Sequence, residues 1–244
     1  MIKLLTDLSE VSLRKSHYSM LLRSHMRAYG TEFNFCEFYE LSTTKKKLAL
    51  FCCFNGSMVG DIYQGVKITS ACKREIAEFV AFKSPSGIEL AKELCTRRGF
   101  AGYEKQKRAF FEVKAGDNAD GLNQNPDLEA VFKTAFTDAD YGLWLTDTVR
   151  RKNRGILRVY AYNSSVLTVK CRGKGYAYIS DLATPEEDRG KGYAKALLEK
   201  VAHQLETEGY KCYLTALPEA SEYYYHIGLK NLGNDIFYAM TKEI

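Results

Sequence analysis

Leu182-Ala183-Thr184-Pro185-Glu186-Glu187-Asp188-Arg189-Gly190-Lys191-Gly192-Tyr193-Ala194-Lys195 is the stretch from which the architecture of this chain can be read. Tyr176 to Leu182 reads as a strand, and Thr184 to Asp188 as a short connection. Gly190 and Gly192 stand where a long helix begins, and the helix runs to about Glu208, stopped by Gly209. Ala194, Leu197, Leu198, Val201, Ala202 and Leu205 form an apolar stripe along it, so it docks on a sheet. Docking fixes the first turn, whose N–H groups have no intrahelical partner. Those donors and the helix dipole favour a phosphate or pyrophosphate. Gly190 and Gly192 permit close backbone approach, and Arg189 and Lys191 add positive charge.

The elements around this junction define a mixed α/β arrangement. Upstream, Ile156–Tyr162, Val166–Cys171 and Tyr176–Leu182 make an antiparallel meander turned by Asn163-Ser164 and by Arg172-Gly173-Lys174-Gly175. Helices precede it at about 127–136, with Asp127 at the opening position, and at 141–151. Downstream come a strand at Lys211–Leu217, a short helix at Glu219–His226 and a last strand at Ile236–Thr241. Strands, helix, strand, helix, strand is a mixed, mostly antiparallel sheet covered by helices.

A loop-like segment, 115–126, is rich in Gly, Asn and Asp and ends at Pro126. It divides the chain into an N-terminal α/β domain, residues 1–116, and a second domain, residues 125–244. In the first half we expect a helix at about 10–27 and a hairpin of Lys47–Phe54 and Ser57–Tyr63 around Asn55-Gly56. Two helices follow at about 71–82 and 87–96, then a strand at Arg108–Val113. Phe33, Phe35, Phe38 and Tyr39 are core aromatics before they are pocket lining. No internal repeat is visible in the sequence.

Composition narrows the class. The chain has 244 residues, 45% hydrophobic and 27% charged, which suits a folded globular protein. No apolar run reaches the roughly 20 residues of a membrane span, and the N-terminus lacks a signal-peptide core. A cytoplasmic location with no membrane partner is the expectation. The 7 cysteines are odd in number and show no C-x-x-C pair, so reduced, mostly buried thiols are expected and no metal site. A net charge of +5 is mild. It suits an anionic small ligand better than a nucleic acid.

The glycine junction is neither of two common phosphate loops. A dinucleotide fingerprint needs a third glycine where Lys195 stands, and a Walker loop needs Ser or Thr where Gly192 stands. What fits is Arg-x-x-Gly-x-Ala, from Arg189, Gly192 and Ala194. It closely resembles the acetyl-CoA pyrophosphate loop of the GNAT superfamily of N-acetyltransferases. Tyr223-Tyr224-Tyr225-His226-Ile227-Gly228-Leu229 resembles that family's Phe/Tyr-Tyr-x-x-hydrophobic-Gly-Phe segment. The resemblance covers about residues 127–244.

The resemblance implies an open V between the strands ending at Leu182 and at Leu217. The pantetheine arm of acetyl-CoA would bond to Leu182 and Thr184 beside Ala183. Its pyrophosphate would rest on the amides from Arg189 through Gly190, Lys191, Gly192, Tyr193, Ala194 and Lys195. A backbone N–H near Leu182 would face the developing oxyanion. Tyr224, four residues before Gly228, would be the proton donor to the leaving thiolate, with Tyr223 and Tyr225 as its rivals. For the base, Asp181, Glu186, Glu187, Glu219 and a water chain all stay open.

Two departures from the family pattern stand out. Ala220 and Ser221 occupy the neighbourhood of an Asn often found there, and Leu229 replaces a Phe. The first half has no such loop, since Arg97-Arg98-Gly99-Phe100-Ala101 has the wrong spacing. It reads as a reduced, GNAT-like half that covers the acceptor side or forms a homodimer surface. The expected activity is acetyl transfer from acetyl-CoA to a primary amine of a small molecule or peptide. The alternative is a non-catalytic acyl-CoA-binding regulatory module.

Overall fold

The computed structural model describes residues 1–241. These residues fold as two units, one of residues 1–108 plus the segment from Asp235 onward, the other Ala109–Asn234. The first contains β1 (Ile2–Leu4), α1 (His17–Tyr29), β2 (Cys36–Ser42), β3 (Lys47–Phe54), β4 (Ser57–Ile62), α2 (Ser70–Lys83) and β5 (Gly87–Leu90). Antiparallel pairing joins β1 to β2, β2 to β3 and β3 to β4, and β5 lies parallel to β4. Asn55 and Gly56 turn the β3–β4 hairpin with φ of 43° and 78°, as an Asn-Gly two-residue turn requires.

β6 (Tyr103–Val113) carries the chain into the second unit. There follow α3 (Leu128–Ala135), α4 (Tyr141–Asn153), β7 (Arg158–Tyr162), β8 (Ser165–Gly173), β9 (Tyr176–Ala183), α5 (Tyr193–Thr207), β10 (Lys211–Ala216), α6 (Pro218–His226) and β11 (Lys230–Met240). β7, β8 and β9 form the expected meander. β10 is parallel to β9, and its other edge pairs antiparallel with residues 109–113 of β6. The fold is mixed α/β with mostly antiparallel strands flanked by helices. No helix among the described residues is long and apolar enough to cross a membrane.

The same order occurs in both units: a helix, a three-strand meander, a helix, then a strand parallel to the last of the meander. α1, β2–β4, α2 and β5 match α4, β7–β9, α5 and β10 in order and pairing sense. The terminal strands are exchanged. The edge of β5 is paired by Tyr238 and Ala239 of β11, from the far end of the chain, while β10 is paired by β6, which leaves the first unit.

Three sequence expectations are corrected. Gly87–Thr96 is no helix: Gly87–Leu90 is a strand, followed by turns. Ile88 and Leu90 are buried while Glu89 is less so, a period of two that four residues are too few to announce. The first helix begins at His17, where the Ser16 side chain caps it by accepting from Ser19 N, rather than near Glu10. The last strand starts at Lys230, six residues before Ile236.

The core of the second unit joins Phe111, Tyr160, Leu167, Val169 and Ile179 to Leu197, Leu198, Val201, Ala202 and Leu205 of α5. Five of the six stripe residues read from the sequence are therefore buried, and Ala194 is partly exposed. The first unit buries charge as well as apolar surface. Asp61 is fully buried and accepts hydrogen bonds from Arg14 Nε (2.8 Å), Ser19 Oγ (2.7 Å), Ser16 Oγ and the N–H of Ile62. Asp235 is buried among Tyr18, His17 and Arg108.

Candidate functional site

The β9–β10 pair supplies the frame. Its parallel ladder runs from Tyr176↔Lys211 to Ile179↔Leu214 and stops, although β9 continues to Ala183 and β10 to Ala216. The strands therefore part at their C-terminal ends. At the parting point the Tyr178 hydroxyl and Thr215 Oγ1 lie 2.5 Å apart.

β9 is bulged where it leaves its partner. Val166 pairs with Ala183 and Thr168 with Ser180, so Leu167 alone faces Asp181 and Leu182. Asp181 takes a left-handed φ of 55°. A bulge turns backbone groups out of the regular ladder. This is the stretch from which the sequence reading drew an oxyanion donor. Thr184 is anchored by its hydroxyl, 2.7 Å from that of the buried Ser165.

The connection to α5 holds the remaining loop residues. A 3-10 turn at Glu186–Asp188 leads to Arg189, whose Nε donates to the Thr184 carbonyl at 3.3 Å. Lys191 Nζ lies 2.5 Å from Asp188 Oδ1, which holds the Asp188 carboxyl below its ordinary range and the lysine above its own. Gly190 and Gly192 both have φ of 79°, and a Cβ on either would meet no atom within 4 Å. Gly192 is the N-cap of α5 and offers no side chain to the first-turn amides of Tyr193, Ala194 and Lys195. Lys195 Nζ lies 3.8 Å from Glu199.

The equivalent junction of the first unit is built differently. There Thr69 caps α2, its hydroxyl accepting from Cys72 N at 3.2 Å. One helix start is closed by its own side chain, while the other presents bare amides, two glycines and open space. Only the second leaves its first-turn amides without a side-chain partner, the arrangement that favours an anion.

Tyr224 lies on the inner side of α6, 9% exposed, its ring 5.5 Å from Phe111 and 5.3 Å from Tyr223. Burial, and then Tyr223, push its hydroxyl up to about 12. Tyr223 and Tyr225 are 38% and 52% exposed, and the Tyr225 hydroxyl accepts from Asn231 Nδ2. Of the candidate bases, Asp181 is half-buried while Glu186, Glu187 and Glu219 are exposed. Ser221, in place of the family's Asn, returns its hydroxyl to Leu217 O at 2.8 Å.

One neighbourhood was not singled out from sequence. Phe132 and Phe136 of α3 and Tyr141 and Trp144 of α4 cluster with ring centroids 5.0–6.4 Å apart. Trp144 and Ala183 pack on the same small core of Val131, Leu157, Val159, Ala161 and Val166. The aromatic spacing within each helix is the signal that could have found it. In the first unit Phe38 is core, whereas Phe35 is 40% exposed beside Lys83 in a hollow of about 240 Å³.

Comparison with known proteins bears on the family and the fold. Residues 114–228 match the model of the acetyltransferase (GNAT) family. That segment is a GNAT acetyltransferase domain, a class that carries out acyl-CoA-dependent acyl transfer. The fold of the whole chain is similar to a GNAT-family acetyltransferase from Colwellia psychrerythraea (13% identity, TM-score 0.58, 99% of this chain and 100% of that one). It is also similar to a GCN5-related N-acetyltransferase from Sphaerobacter thermophilus (14%, 0.56, 93% and 86%). A third similar structure is a tandem GNAT protein from the clavulanic acid biosynthesis pathway (11%, 0.52, 97% and 92%). A sequence comparison with curated proteins gives no match.

Proposed function

We propose that the chain is an acetyl-CoA-dependent N-acetyltransferase that moves an acetyl group directly to a primary amine of a small molecule or peptide. The observation that carries this reading is the contrast between the two helix starts. The first unit caps α2 with Thr69, while the second leaves α5 open at Gly192. In this reading the amides from Arg189 to Lys195 hold the pyrophosphate. Leu182, Ala183 and Thr184, at the parted end of β9, hold the pantetheine arm.

The chemistry assigned to the chain is brief. The neutral amine attacks the thioester carbonyl carbon, and negative charge develops on the oxygen. A backbone N–H at the 181–182 bulge stabilises that charge. As the carbon–sulfur bond breaks, the sulfur takes a proton from the Tyr224 hydroxyl, and the phenolate regains one from solvent. A hydroxyl pushed up to about 12 stays protonated at neutral pH, so the sulfur meets a donor rather than a phenolate. The proton lost from the nitrogen passes to solvent, directly or through a carboxylate near the bulge.

The test is an acetyl-CoA titration paired with a thiol-release assay over a panel of small and peptide amines. Saturable binding with release on at least one primary amine is expected. Binding with no release on any amine would make the chain a regulatory acyl-CoA module instead.

A further inference from the structure

The helix and hairpin of the first unit bring three soft donors together. His25 of α1, Cys36 of β2 and Cys52 of β3 are 8%, 0% and 0% exposed. Their ligand atoms all lie within 4.8 Å of one another. Strand register explains the meeting. Cys36 pairs with Phe54 and Cys52 with Phe38, so the two thiols are diagonal neighbours on one face, and α1 packs on β3. The sequence separations, 11 and 16 residues, match no metal motif.

The spacing of the two sulfurs is that of ligands sharing an ion. The two sulfurs are 3.8 Å apart. Two sulfurs each about 2.3 Å from one ion stand roughly 3.8 Å apart at a tetrahedral angle and about 4.0 Å at a trigonal one. A disulfide suits the pair poorly, because diagonal neighbours in a sheet have Cβ atoms well beyond the ~4 Å that bridge needs. An aromatic cluster adjoins His25. Phe54 lies 4.6 Å from the His25 ring, with Tyr29 5.2 Å and Phe35 6.2 Å from Phe54.

We propose that His25, Cys36 and Cys52 form a binding site for one copper(I) ion, which ties α1 to the β2–β3 hairpin. Two thiolates and one imidazole are the donors a soft d10 ion selects. No fourth His, Cys, Asp or Glu joins the group among the described residues. Three-coordination in a dry, apolar setting suits monovalent copper, whereas structural zinc takes four ligands. The site uses no residue of the acyl-transfer machinery, so it stands whether or not that reading does.

The test uses the full chain, reduced, under anaerobic conditions. Copper(I) is offered as its bicinchoninate complex and zinc(II) in a parallel sample, both to native protein and during refolding from urea. One equivalent of copper(I) should leave the coloured complex in at least one of the two preparations. Cys36→Ala and Cys52→Ala should each abolish that uptake, and Cys72→Ala should leave it intact. X-ray absorption on the copper-loaded wild type should show two sulfurs and one nitrogen, a reading independent of how the variants fold. Copper left wholly with the competitor, uptake unchanged in both variants, zinc bound in preference to copper, or a different ligand shell would each overturn the assignment.

Discussion

Gly192 is where backbone conformation and ligand space coincide. Its φ of 79° is a left-handed value, and no protein atom would obstruct a Cβ. Gly192→Val should cost about 1–2 kcal/mol of stability through the dihedral alone, read by urea unfolding. Affinity for acetyl-CoA should fall at least tenfold by calorimetry, because the branched side chain takes phosphate space. Gly209, with φ of 84° and equally open surroundings, is the control: Gly209→Ala should bear a similar strain and leave affinity unchanged. Equal affinity in both variants would remove the loop from the site. At the other end, Tyr224→Phe should lower kcat by about 10²-fold, within the range general acids contribute, with little change in acetyl-CoA affinity. The titration has a sign. Burial raises the Tyr224 hydroxyl to about 12, so the donor form persists through the usual tyrosine value near 10. The wild-type pH–rate profile should therefore show no alkaline fall below about pH 11 that Tyr224→Phe removes. A fall near pH 9–10 that Tyr224→Phe removes would show the hydroxyl titrating near its ordinary value and contradict this reading, whereas one that persists in the variant belongs to another group.

At the scale of elements, α5 fixes the cradle by burying Leu197, Leu198, Val201, Ala202 and Leu205. Leu198→Ala should destabilise the protein by about 2–5 kcal/mol and weaken acetyl-CoA binding, both checked on one preparation. The start of α1 rests on Asp61, which satisfies Arg14, Ser16 and Ser19 at once. Asp61→Ala should cost about 3–5 kcal/mol, because removing one partner leaves buried polar groups uncompensated; denaturant unfolding reads it directly. The contrast between these helices explains what the sequence could reveal. α5, its glycines and the β7–β9 meander were legible because their signals are local: a stripe of one period, turn residues, an uncapped start. β5 was misread because Glu89 and Lys92 among Ile88, Leu90 and Ala91 look helical, and only pairing with β4 makes them a strand. β2 was read only as an aromatic stretch. The parting of β9 from β10 was expected only through the family resemblance, while the inward face of Tyr224 and the meeting of His25, Cys36 and Cys52 depend on packing and register between distant segments, which no local pattern carries.

On the scale of the molecule, one order of elements occurs twice, and the helix starts that follow the two meanders differ. Thr69 closes the first helix start, while Gly190 and Gly192 open the second. The strand beside each parallel pair comes from a distant segment of the chain: Tyr238 and Ala239 on β5, and residues 109–113 on β10. The family match covers only residues 114–228, the half with the open start. A crystal of the full chain soaked in acetyl-CoA tests the account most directly. Density for the pyrophosphate should lie on the amides of Arg189–Lys195, with the thioester between the parted ends of β9 and β10. A cofactor bound elsewhere, or a cradle that stays empty at saturating ligand, would contradict it.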